Sequence, residues 1–120
     1  MAGLPAQSAL PATVVAGHLR ACAEELSRCS VTDLGEIAEV LGDLVVGQRR
    51  LSSSLARFAE RLDEPGRVDL PRSVDKLDRA ALIEVLDAAS SAAGYSAEAL
   101  AESGPLLDEM REFPDESTHS

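Results

Sequence analysis

The side chains of this sequence best suited to chemistry are two cysteines, two histidines and 21 carboxylates. Cys22 and Cys29 lie on one heptad spacing, with His18 one turn before them. On a single helix, residues seven apart have Cα atoms about 10 Å from each other. A disulfide tolerates less than about 7 Å, so the two cannot bridge within one helix. Buried core thiols are the favoured reading, ahead of a symmetric disulfide between two copies. A metal site is the weakest reading, because no C-x-x-C occurs and His18 is the only histidine outside the tail. His18 borders an apolar stripe without a nucleophile or paired carboxylate, which predicts a half-buried structural histidine.

The carboxylates show no pair set apart from the rest. Glu24-Glu25 and Asp108-Glu109 read as exposed helix charge. Phosphate loops, dinucleotide fingerprints, H-E-x-x-H, calcium loops and nucleophile elbows do not occur. No enzymatic activity and no cofactor are therefore expected. Direct nucleic-acid binding is not expected either. The net charge is −10, the chain has no Asn, and its two Gln are Gln7 and Gln48, whereas phosphate and base recognition need positive charge and amide or guanidinium donors. The cluster Ser52-Ser53-Ser54 reads as small spacing residues rather than a phosphorylation switch.

The elements that carry these residues are helical. Nineteen alanines and 17 leucines, with no Trp, argue against a β-sandwich or barrel. The expected fold is all-α: an antiparallel helical hairpin or three-helix bundle, with helices at 11–29, 33–63 and 73–103 and a short one at 105–112. Residues 1–10 read as a flexible arm, 11–112 as one domain and 113–120 as an acidic disordered tail. In the first helix Val15, Leu19, Cys22, Leu26 and Cys29 form one stripe. Asp33 is the expected cap of the second helix, with Glu36 three residues later as in a capping box.

The second helix carries the clearest pattern. Leu34, Ile37, Leu41, Leu44, Gln48, Leu51, Leu55, Phe58 and Leu62 alternate at three and four residues, flanked by Ala38, Val45, Ser52 and Ala59. This 3.5-residue period predicts left-handed helix packing on more than one neighbour. Asp63-Glu64-Pro65-Gly66 ends the helix, and Ser73 is the expected cap of the third. There Leu82, Leu86, Ala89, Ala93, Ser96, Leu100, Ser103, Leu107 and Met110 hold the same spacing. The Ala/Ser-rich stretch 88–93 admits a close partner helix, and Gly94 is a point where the helix could bend.

Charge is unevenly distributed. Residues 1–47 hold two basic and six acidic side chains, 48–79 eight and six, and 80–120 one and nine. The bland reading is solvated helix faces. The sharper one is a basic region that docks on an acidic partner through Arg49, Arg50, Arg57, Arg67, Arg72 and Arg79, with Gln48 fixing register. Arg49-Arg50 could instead pair internally with the acidic third helix.

The second helix, about 46 Å long, outreaches the first, so self-association as a homodimer is expected to cover the remainder. The function expected is a non-enzymatic interaction or adaptor module that binds another protein, itself or both. The alternative is a small acidic regulator, anti-sigma- or antitoxin-like, that sequesters a basic or nucleic-acid-binding partner. No secretory signal and no membrane-length apolar run is found, so a cytoplasmic location away from the membrane is expected.

A two-helix hairpin in a chain of this length resembles, in architecture, the small helical substrates of type VII secretion, which implies export without a signal peptide. Those proteins carry a Trp-x-Gly turn and a tail signal containing Tyr. Here the turn is Glu64-Pro65-Gly66-Arg67, there is no Trp, and Tyr95 lies within the third helix. The resemblance is one of architecture alone.

Overall fold

The computed structural model describes residues 10–71 and 73–112. The expected tail, Arg72 and all of the expected arm except Leu10 lie outside the described residues. Regular structure among the described residues is all-helical, in the order α1 (Ala12–Leu26), α2 (Leu34–Asp63), α3 (Lys76–Ala101) and α4 (Ser103–Glu112). The chain divides into two units, 1–31 and 32–120, at a boundary inside the segment read as one domain.

In the first unit, Pro11 opens α1 with its carbonyl accepting from the amides of Val14 and Val15. A proline before the first turn sacrifices no helical hydrogen bond. The helix ends at Leu26, three residues sooner than the stripe predicts. Ser27 Oγ donates to Glu24 O at 2.6 Å, and the amides of Arg28 and Cys29 donate to Glu25 O and Leu26 O. These short-range bonds use up the last carbonyls and turn the chain out of the helix. Cys29 therefore leaves the stripe. Cys22, Cys29 and His18 are all exposed, which corrects the expectation of buried thiols and a half-buried histidine.

The second unit is a hairpin. Asp33 caps α2 by accepting from Glu36 N at 2.8 Å, as its position predicts. Glu36 completes the cap by accepting from Thr32 N at 2.7 Å, one residue before the usual capping-box donor. The turn uses Gly66 at φ +78°, a backbone conformation that favours glycine. The cap of α3 is Asp75, accepting from Asp78 N at 2.8 Å, rather than Ser73. Residue 74 is taken up in a turn, its amide donating to Pro71 O. The later carboxylate, an equally good acceptor, thus meets the first free helical amides. Gly94 does not interrupt α3.

The antiparallel register is fixed by a reciprocal serine pair. Ser52 Oγ donates to Ser90 O and Ser90 Oγ donates to Ser52 O, both at 2.7 Å. Each hydroxyl reaches the other helix's backbone, which requires the two helices to lie close together at this level. A side chain built on Gly94 would meet Ser52 Oγ at 3.5 Å. Counting one heptad either way from this pair aligns Val45 with Ala97 and Ala59 with Ile83. Ala97 is fully buried, and Val45 and Ala59 are buried. At the open end of the hairpin, α4 packs on α2 and α3 with Leu107 buried. Ser103 Oγ caps back to Leu100 O at 2.6 Å at the α3–α4 junction, and Pro105 sits harmlessly in the first turn of α4.

In α2 the contact face is rotated from the one the periodicity predicts, whereas in α3 it keeps Leu86, Ala93 and Leu100 of the predicted stripe. In α2 the buried row is the flanking one, Val45 and Ala59, joined by Leu62, while Phe58 stays 45% exposed. In α3 the face runs through Ile83, Leu86, Ser90, Ala93, Ala97 and Leu100, and Leu82 is exposed, as is Met110 of α4. Small residues bring backbones together, so the hairpin closes along its Ala/Ser rows rather than its leucine row. Apart from Leu62, the leucine row is left half-buried at the edge of the contact.

Candidate interaction surface

The residues singled out for partner binding do not converge. Arg49 and Arg50 lie midway along α2, Arg57 stands nearer the turn, and Arg67 lies in the turn itself; all four are exposed. Arg79, half-buried in the first turns of α3, lines a small depression with Leu70, Val74, Asp75 and Lys76. Arg72 lies outside the described residues. The basic group is therefore strung along the hairpin and does not form one tip. Neither Arg49 nor Arg50 is ion-paired with α3 among the described residues, where the ion pairs are Arg28–Glu25 at 3.0 Å and Arg67–Glu64 at 3.4 Å. Both pairs join residues three apart and are well exposed, so each contributes little. Gln48 is half-buried on α2.

One groove in the second unit has a volume of about 260 Å³. It lies between the N-terminal half of α2 and the α3–α4 junction, lined by Ala38, Leu41, Gly42, Gly104, Leu107 and Asp108 among others. It exists because Ala, Gly and Ser at these positions leave space that larger side chains would fill. Its volume is below the roughly 300–1,000 Å³ of ordinary small-molecule sites. Asp108 is its only titratable lining residue. Among the described residues no three His, Cys, Asp or Glu side chains are grouped as metal ligands.

What the hairpin does display is an uncharged face. Helical geometry places Ile37, Val40, Leu44, Leu51, Leu55 and Phe58 of α2 on one side of the α2–α3 contact. Because α3 runs antiparallel, its Leu82, Val85, Ala89 and Ser96 fall on the same side. None of these positions carries a charge. Phe58, Leu82 and Val85 are exposed, and Leu44, Leu51 and Leu55 are half-buried. Two helices bury only their mutual stripe, so an apolar sector wider than one contact leaves its remainder in water. Sequence reasoning found the α2 half of this face through its heptads. It missed the α3 half, because Leu82 was assigned to the internal stripe.

No helix among the described residues is long and apolar enough to cross a membrane. Comparison of the chain with known protein families, with curated proteins and with solved structures finds no match.

Proposed function

We propose that this protein is a non-enzymatic helix-on-helix interaction module, self-associating or binding another protein, and that the uncharged face of the α2–α3 hairpin is its docking surface. The observation that carries the reading is the exposure of Phe58 and Leu82, 45% and 46%, on the one side of the hairpin that these apolar positions share. Contiguous apolar surface of this kind marks interaction sites, and amphipathic helices recognise one another through such grooves.

The test is association of the full chain carrying Phe58→Asp and Leu82→Asp, each on an already exposed position. Helix content by circular dichroism is expected to stay unchanged. Capture of partners from the native cell, and self-association by sedimentation, are expected to fall together or singly. Retention of every association by the double variant defeats the reading. Salt separates it from the acidic-regulator alternative: apolar docking persists at high ionic strength, whereas sequestration through the carboxylates of α3 weakens steeply.

A further inference from the structure

Two rows of α2 are centred within one residue of each other, on either side of Gly47. The apolar row is Ile37, Leu44, Leu51 and Phe58, which belongs to the uncharged face. The charged row is Glu36, Asp43, Arg50 and Arg57, one position earlier in each heptad, and all four are exposed. Its first half is acidic and its second half basic. Both rows reverse about the same turn, where Gly47 is exposed and a side chain added to it would meet nothing within 4 Å. Asp43, Arg50 and Arg57 make no ion pair among the described residues, and Glu36 is engaged only by Thr32.

In an antiparallel pair of helices, like-labelled flanking rows face each other. Two copies of α2 laid antiparallel about Gly47 therefore set acid against base along the whole charged row. The apolar row meets itself at the same time, with Leu44 against Leu51 and Ile37 against Phe58. The absence of a side chain on Gly47 lets the two backbones approach at the crossing. A surface that is antisymmetric in charge and symmetric in hydrophobicity about one turn is self-complementary under a two-fold axis, the property an isologous interface needs.

We infer that the occupant of the uncharged face is a second copy of this chain, docked with its α2 antiparallel to the first, Asp43 and Glu36 of each copy facing Arg50 and Arg57 of the other. The inference rests on the interaction-module reading and gives it a partner and an orientation. The hairpins then form a four-helix core in which each α2 lies along the other copy's uncharged face, and a chain of net charge −10 associates through a row whose acidic half meets its basic half.

The test is sedimentation equilibrium of the full chain at tens of micromolar, with charge reversals on the exposed row. The expected result is a wild-type dimer. Asp43→Arg alone and Arg50→Glu alone each weaken it by about tenfold, since each converts two symmetric attractions into repulsions. The combined D43R/R50E variant restores affinity to near wild type, because the row is again antisymmetric. A monomeric wild type overturns the inference, as does a dimer in which the single reversals are silent or the combined variant is no better than either one. Circular dichroism on each variant confirms that the helices are retained. A monomeric chain that still loses a foreign partner on Phe58→Asp overturns self-docking and leaves the module reading standing. A charge-swappable dimer insensitive to Phe58→Asp and Leu82→Asp does the opposite to the apolar face.

Discussion

The closeness of α2 and α3 is a sharp target for perturbation, and Ala97 is where it is most exposed to failure. This residue has no solvent exposure and lies one heptad from the Ser52–Ser90 pair, level with Val45, which is 9% exposed. Ala97→Leu adds three carbon atoms where the helices leave no room for them. Helix propensity barely changes, since Leu ranks just below Ala, so the loss comes from packing. Overpacking of this kind costs about 1–3 kcal/mol. For a unit of this size each kcal/mol is worth roughly 4–8 °C in melting temperature, so Ala97→Leu should melt about 5–20 °C below wild type. Thermal unfolding followed by helical circular dichroism, at fixed protein concentration, measures this. Ala88→Leu supplies the control: the same substitution on the same helix, at an exposed position, where surface changes stay within about 0.5 kcal/mol. Equal melting of the two variants would refute the close approach, and with it the register set by the serine pair.

Other outcomes follow from the same geometry. Ser90→Ala should cost less than about 1 kcal/mol in urea unfolding, because the lost hydrogen bond is offset by alanine's better helix propensity and Ser52 O remains served within its own helix. Asp33→Ala should destabilise the hairpin by about 1 kcal/mol, since its carboxylate satisfies the amide of Glu36. Glycine substitutions should split by backbone: Gly42→Ala, with nothing within 4 Å of the added carbon, should stabilise α2 by about 0.8–1 kcal/mol, whereas Gly66→Ala, at φ +78°, should destabilise the turn. Cys22 and Cys29, both exposed, should react with a thiol reagent in the native state as fully as in denaturant; protection of either in native buffer contradicts their exposure.

Much of this fold was legible from local chemistry. The 3.5-residue spacing, the Asp33 cap and the Pro65-Gly66 break act within a turn or two of backbone, so the sequence alone determined the all-helical class, the long α2 and the position of the hairpin turn. Ends decided by competition between nearby acceptors were less legible: Asp75 displaced Ser73 because a turn from Pro71 consumed residue 74, and Ser27 ended α1 before Cys29. The tertiary structure alone decided which side of each stripe is buried. A heptad pattern marks a wide apolar sector without saying how far round the neighbouring helix will sit. The reciprocal Ser52–Ser90 bonds settled that for α2 and α3, drawing the helices together along their small residues. Leu62 apart, the leucine row of α2 thereby lies at the margin of the contact, with Phe58 and Leu82 facing water. Periodicity is a property of one helix, whereas the rotation of that helix about its own axis is set by which backbone comes closest.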